Sequence, residues 1–408
     1  MKIFDAPTRA GFVGTRAQVD RRDDRPTQTG EWLADPGFGI YVHIPFCLHR
    51  CNYCDFNTYE SMDELHVPYV DALVADIARW SGDIRPATSV FFGGGTPTLL
   101  DPVHLGRILS AVRDRFSIQP GAEITVEANP ETVDERIFER LLDAGFNRVS
   151  IGVQSLAPTV LERLGRTHSA GVALDALRSA QRAGVNEVNA DLIYGSPWET
   201  EAQWEQTLEG ILEIETDHVS AYALTVEEGT PLATLVASGR APQIDPDVQA
   251  DRHEVAEQAL GAAGFSRYEI SNWARPHKAS SHNVLYWSAG DYLGFGAGAH
   301  GHLSGRRSWN VRLPRDFIAA VDRGETVESG HEVLKGAGRA AEALVLGLRL
   351  ASGVDRIAFE ARFGTGYLNS VKSQLSDLAA LGLVEVNDRI RLTGRGTALA
   401  SEVACRLL

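Results

Sequence analysis

In the first half of the chain, short apolar runs rich in β-branched residues recur at 40–44, 89–92, 123–127, 148–153, 187–193 and 218–223. Helix-forming stretches separate them, at 63–80, 102–116, 134–144, 170–183 and 200–211. Local punctuation supports these boundaries. Asp101-Pro102 offers an N-cap followed by proline at the first helical position, and Gly145 and Gly184 stand at two expected helix ends. Alternation of this kind predicts parallel strands joined by crossover helices, an α/β architecture. Six such units make about three quarters of a (β/α)8 barrel. The expected fold is therefore a partial (β/α)6 barrel, an open arc rather than a closed can.

Beyond the barrel the pattern changes twice. Pro, Gly and aromatic residues become frequent after 226, with two prominent segments: YEISNWA at 268–274, and SHNVLYW at 281–287 followed by YLGFGAGAHG at 292–301. The last six residues match G-x-G-x-x-G by letter. A dinucleotide reading fails, because no long apolar strand feeds the loop and no amphipathic helix follows it. The glycines are instead expected to allow close packing or the approach of a bound planar group. Further on, helical stretches at 339–350, 354–363 and 368–381 precede a hairpin, 383–386 and 389–392, and a last helix from 397. This predicts a winged-helix-like C-terminal domain. The expected organisation is a disordered tail over 1–38, a barrel over 39–225, a connecting region over 226–315 and the small domain over 316–408.

Composition narrows the function. The 408 residues are 44% hydrophobic and 23% charged, as in soluble globular proteins. A net charge of −15 argues against sequence-independent nucleic-acid binding, so the winged module reads as structural or as a protein contact. No apolar run approaches the ~20 residues that span a bilayer. The start of the chain, with RRDDRP at 21–26, lacks an apolar signal core. With few, clustered cysteines, a reducing cytoplasm is the expected location.

The chemistry of such barrels gathers at the C-terminal ends of the strands. The first strand runs into Cys47, Cys51 and Cys54, three of only four cysteines. Thiolates select Fe–S clusters, zinc or Cu(I). A cubane cluster usually takes four thiolates, so three leave one iron open. A Cys3His zinc site using His49 is the alternative. A disulfide is disfavoured by the odd trio and by the distance to Cys405. The next strand ends carry GGGTPT at 93–98, then Glu127, then Gln154 with Arg166 further on, then Asp191, and finally Tyr222. Glycine lets backbone approach a ligand closely, the carboxylates can pair with an ammonium or accept hydroxyls, and Arg166 can hold a carboxylate in bidentate fashion.

A strand, YVHIPF, entering C-x3-C-x2-C with Tyr53 before the last cysteine resembles the signature of radical S-adenosylmethionine (SAM) enzymes. With GGGTPT and SHNVLYW…YLGFGAGAHG added, the chain from Tyr41 onward resembles one family closely: the oxygen-independent coproporphyrinogen III oxidase-like proteins, in the branch described as heme chaperones. The resemblance implies a [4Fe–4S] cluster on Cys47, Cys51 and Cys54 with SAM at the open iron. It implies a SAM site lined by Tyr41, Tyr53, Gly94 and Glu127. Gly95, Thr96, Gln154, Arg166 and Asp191 match positions that touch a second SAM in the oxidases. It also implies heme as ligand and heme-accepting proteins as partners, with a homodimer as a further expectation. The oxidases carry one more cysteine where this chain has Phe56, which shifts the expectation from coproporphyrinogen dehydrogenation, the alternative, to heme handling. His282 is the first expectation for the heme iron's axial ligand, ahead of His300 and His302.

Overall fold

Parallel strands covered on both faces are continuous apolar runs, and six of them form the middle of one sheet. They are β1 (Phe38–Ile44), β2 (Ala87–Gly94), β3 (Ile118–Ala128), β4 (Arg148–Gln154), β5 (Glu187–Tyr194) and β6 (His218–Ala223). In the computed structural model, which describes residues 30–82 and 84–408, they lie side by side in that order, all parallel. Six helices connect or flank them: α1 (His66–Arg79), α2 (Pro102–Arg115), α3 (Glu135–Ala144), α4 (Pro158–Leu164), α5 (Ala170–Ala183) and α6 (Glu201–Leu212). The expected punctuation is present. The Asp101 carboxylate accepts from the Val103 N–H at 2.8 Å, and Gly145 and Gly184 end their helices at φ 102° and 86°. Ile40, Val42, Ile44, Val90, Phe92 and Val126 are fully or almost fully buried between the strands and the helices. Each such side chain contributes about 1.5–3 kcal/mol of burial.

The segment after β6 does not stand apart as a connecting region. It completes the sheet on both sides. Strands β7 (Ser266–Glu269) and β8 (Asn272–Ala274) add antiparallel beyond β6, while β9 (Asp291–Phe295) adds parallel outside β1. β10 (His300–Leu303), β11 (Arg306–Asn310) and β12 (Glu328–Val333) then continue as an antiparallel meander. The result is a 12-stranded sheet of order β12-β11-β10-β9-β1-β2-β3-β4-β5-β6-β8-β7 with two ends, so the barrel is open as expected.

Two boundaries shift for a packing reason. β12 falls inside the expected C-terminal domain yet pairs with β11, so the separate small unit starts near Gly336. It holds a three-stranded sheet, β13 (Val354–Asp355), β15 (Arg389–Leu392) and β14 (Val384–Val386) in spatial order, among short helices, a winged-helix-like layout. The tail expected over 1–38 lies outside the described residues up to 29. Residues 30–38 are fixed: Trp32 is buried with its ring 6.2 Å from that of Phe359, and Leu33 N–H donates to Ser288 Oγ at 3.1 Å. Phe38 already belongs to β1. Among the described residues, no helix is long and apolar enough to cross a membrane.

Candidate functional site

The cysteine loop leaves the end of β1 and is closed at its base by backbone. Tyr59 N–H donates to Pro45 O at 2.8 Å, and Cys47 N–H donates to Tyr59 O at 3.0 Å. Its tip is held from the far side of the barrel. Asn52 N–H donates to Leu164 O at 3.0 Å, and Leu232 N–H donates to Asn52 O at 2.9 Å. The Asn57 amide donates to Ala297 O at 3.1 Å and to Arg312 O at 2.9 Å. The loop is thus fixed by residues more than a hundred positions later in the chain.

The glycine-rich run after β9 is a wall for this loop, as close packing predicts. Gly298 has φ 75°, and a Cβ there would lie 2.3 Å from Asn57 Nδ2. Gly296 has φ 102°, and its Cβ would meet Tyr69 Oη at 2.5 Å. That hydroxyl donates to His43 O and accepts from Ala297 N–H, both at 2.8 Å, so it ties α1, β1 and the wall together.

Cys47, Cys51 and Cys54 are all reduced and partly buried. Burial pushes the Cys47 thiol up to about 11 and also raises Cys54, so bare thiols here hold their protons at neutral pH until a metal displaces them. Among the described residues, no three His, Cys, Asp or Glu side chains gather around one point as ligands of a single ion. A cluster asks for something different, one thiolate per iron. His49, the fourth ligand of the zinc alternative, faces Glu60 at 3.5 Å on the exposed side of the loop.

Three strand ends link two of the sulfurs. Thr96 Oγ1, after β2, donates to Cys47 Sγ at 3.8 Å and accepts from Asn129 Nδ2, after β3, at 2.9 Å. Asn129 Oδ1 accepts from Arg166 Nη2 at 2.7 Å, and Arg166 Nη1 donates to Cys51 Sγ at 3.4 Å. Arg166 Nη2 also reaches Gly152 O at 2.9 Å, at the end of β4. The Arg166 Nε is buried and has no hydrogen-bond partner among the described residues. Gly95 completes the cradle: a Cβ there would sit 2.5 Å from Phe46 O and 3.0 Å from Cys47 Sγ. Soft donors, free of disulfides and backed by hydrogen-bond donors, fit an Fe–S cluster.

Inside the barrel, Tyr41, Glu127, Asp191 and His282 line a cavity of about 270 Å³. Glu127 accepts from Gly94 N–H at 3.0 Å, and burial, then the Asp191 charge, push its carboxyl up to about 8. Burial likewise raises Asp191, against hydrogen bonds from Ser150 and Asn189, both at 2.8 Å. Arg148 lines the same cavity but is paired with Glu187 at 2.8 Å, so two close carboxyls still make a site that gains from an ammonium or hydroxyl donors. Gln154 ends β4 at φ 66°, a costly conformation for a side chain with a Cβ, beside a register shift that turns the strand end toward the loop. Tyr53 packs its ring on a small apolar cluster with Val160, Leu164 and Leu232, its phenol reaches Cys51 beside Arg166, and burial keeps that phenol protonated.

Two groups named from the sequence already carry bonds within the fold. The backbone N–H groups of Gly94, Gly95 and Thr96 are all used within the fold, by Glu127, Ile44 O and Phe46 O. Their remaining backbone offer to a ligand is carbonyl oxygen, which suits an ammonium and not a carboxylate. His282 is buried with both ring nitrogens bonded, Nδ1 to Ser89 Oγ and Nε2 to Tyr286 Oη, each at 2.8 Å. Its ring stacks on Phe91 at 5.3 Å, and burial depresses its pKa to about 3. Both nitrogens are thus engaged, and an iron would have to displace the Ser89 or Tyr286 hydroxyl to reach the ring. Sequence reasoning missed Asn57 and Tyr69 and gave Asn129 no role, because a bridging amide or phenol carries no local signature.

The pattern of the radical SAM superfamily matches residues 41–211, and that of the HemN C-terminal domain matches 336–399. A protein of Mycobacterium tuberculosis named heme chaperone HemW is 40% identical over 377 residues, 91% of this chain and 95% of its own. This chain belongs to the radical SAM superfamily. Within the superfamily it groups with the heme chaperone HemW proteins; that of Escherichia coli is 36% identical over 375 residues, 88% of this chain and 95% of its own. A bovine relative, named radical S-adenosyl methionine domain-containing protein 1, mitochondrial, is 35% identical over 98% of this chain and 94% of its own. Among solved structures, the radical SAM enzyme coproporphyrinogen III oxidase (HemN) of Escherichia coli superposes with a TM-score of 0.77 at 23% identity, covering 93% of this chain and 92% of the other. That likeness fixes the fold of a radical SAM protein with its C-terminal module.

Proposed function

We propose that this protein binds heme and hands it to acceptor proteins, carrying a [4Fe–4S] cluster on Cys47, Cys51 and Cys54 with SAM at the open iron. One comparison carries the reading. Within one organism, Escherichia coli, the chain is 36% identical to heme chaperone HemW and 23% identical to the oxidase HemN. The surface agrees with it: Phe56, where the oxidases have a further sulfur, is 64% exposed on the cysteine loop.

The cluster, when bound, supplies an iron that can hold SAM and pass it an electron. The chain's own residues do the rest. Arg166 and Thr96 donate to two of the thiolates and so favour their charged form. Glu127 and Asp191 receive the ammonium and hydroxyl groups of SAM, with Tyr41 as a wall and Gln154 and Gly95 at the entrance. Tyr53 braces the loop from behind. No side chain is assigned a proton transfer. The protein acts in the reducing cytoplasm, where the thiols stay free to take iron.

The test is anaerobic reconstitution with iron, sulfide, SAM and a reductant. The heme carrier shows a Soret band on titration with hemin, transfers the heme to an apo-acceptor, and leaves coproporphyrinogen III unchanged. Formation of protoporphyrinogen IX at a steady rate would replace this reading with the dehydrogenase.

A further inference from the structure

The three cysteine sulfurs are not supported alike. Cys54 is met within its own loop, by the Thr58 hydroxyl at 4.0 Å and the Phe56 N–H. Cys51 takes the Tyr53 phenol from its loop as well as Arg166. Cys47 and Cys51 are both met from across the barrel, and both of those bonds lead back to one cation.

Donor arithmetic fixes the order of protons along that path. A guanidinium can only donate, so the Asn129 atom 2.7 Å from Arg166 Nη2 is the amide oxygen. The amide nitrogen therefore faces Thr96 Oγ1, at 2.9 Å, and the hydroxyl accepts from it. A hydroxyl has one proton to give. That of Thr96 is left for Cys47 Sγ, at 3.8 Å, because the side chain has no other hydrogen-bond partner among the described residues. Every proton in the path thus points from Arg166 toward sulfur, and an aligned chain polarises each member in turn. Thr96 is buried, which keeps water from taking its place. Arg166 has no carboxylate within 4.0 Å among the described residues, and the nearby Glu131 is turned to His168, at 3.4 Å.

A [4Fe–4S] cluster gains one negative charge on reduction. Hydrogen bonds and positive charge at its sulfurs favour that state and raise the potential. We propose that Asn129 is a positioning residue that carries the Arg166 charge through Thr96 to Cys47, and so raises the reduction potential of the cluster. The inference rests on the cluster reading above and concerns the electronics of that cluster. A cluster held in this way is easier to reduce and, once reduced, a weaker electron donor to a bound sulfonium.

The test uses full-length protein, reconstituted anaerobically with iron and sulfide and kept free of SAM. It is titrated with dithionite in redox mediators while electron paramagnetic resonance follows the reduced cluster. Thr96→Val removes the last proton of the path. It is expected to weaken the hold on the electron three- to tenfold, about 30–60 mV for a one-electron couple. Thr96→Ser keeps the hydroxyl and should stay at the wild-type potential. Asn129→Asp preserves the shape but offers only acceptors, so the Thr96 hydroxyl turns from sulfur to the carboxylate. Its potential should fall, and adding Thr96→Val to it should change nothing further, because the proton has already left Cys47. Iron and sulfide per chain, matched across the variants, confine the comparison to loaded protein; if Asn129→Asp takes up no cluster, the two Thr96 variants still decide. Equal potentials for wild type and Thr96→Val, or for Thr96→Val and Thr96→Ser, would overturn the relay and leave the cluster reading standing. An equal fall on adding Thr96→Val to wild type and to Asn129→Asp would overturn the part given to Asn129. A wild type that assembles no [4Fe–4S] cluster would overturn the cluster reading and the relay together.

Discussion

The Arg166 guanidinium rests 3.4 Å from the sulfur of Cys51, and the same group holds Asn129 and the end of β4. One side chain therefore couples the cluster loop to the third and fourth strands of the barrel. Replacing it with alanine leaves the Asn129 amide oxygen and the Gly152 carbonyl unpaired, at about 1–3 kcal/mol each if water does not enter. Arg166→Ala is expected to fold with a lower urea midpoint and to bind less iron and sulfide per chain than wild type. An unchanged iron content would show that the guanidinium does not support the cluster.

Cys51→Ala separates cluster from fold. The loop is closed by the Pro45–Tyr59 backbone pair and pinned through Asn52 and Asn57, none of which needs the thiol. The variant is expected to lose the cluster's visible absorbance and keep its far-ultraviolet circular dichroism. Global unfolding would show instead that the metal organises the barrel.

Glu127 predicts a pH dependence. Its pKa is about 8 in the fold against about 4.3 in an unfolded chain, so between those values the native state binds more protons. Its contribution is full below about pH 4.3 and is lost as pH rises to about 8. Glu127→Gln should remove that fall, on the order of a few kcal/mol, and become more stable than wild type in SAM-free protein at pH 8. Urea melts at pH 5 and pH 8 measure it; parallel shifts in both proteins would refute the assignment. Added SAM should narrow the gap, since its ammonium favours the ionised carboxylate.

His282→Ala addresses the residue that the sequence put forward for heme. It removes a buried ring and strands the Ser89 and Tyr286 hydroxyls, so a loss of about 2–5 kcal/mol in stability is expected. Hemin affinity at a temperature where the variant remains folded should match wild type. A selective loss of hemin binding would return the ligand to the core.

Gly298→Ala probes the wall behind the loop. A methyl group would collide with Asn57 at 2.3 Å, on backbone at φ 75°. Destabilisation of about 1–3 kcal/mol and impaired cluster loading are expected together. Loading of wild-type quality in a destabilised protein would detach the wall from the site.

The six central strands were legible because both of their faces are covered, so each is an apolar run of strand length. The cysteine spacing and the strand-end residues were legible because chemistry there needs particular side chains. The sheet edges were not. β8 has three residues and β7 four, and β9 reads as a glycine-rich loop because Gly294 admits the His300 backbone, where a Cβ would lie 2.0 Å from the carbonyl oxygen. The bonds that engage the His282 ring were not legible for a related reason. Sequence reports which residue can ligate a metal, but not whether Ser89 and Tyr286 have already used its nitrogens.

Asn57 has one further consequence. It belongs to the first strand's loop, yet its amide N–H groups donate to Ala297 O and Arg312 O, far along the chain. A chain still emerging from a ribosome presents its three cysteines long before their supporting wall has been translated. The loop therefore gains its full support only when roughly the last hundred residues are being made.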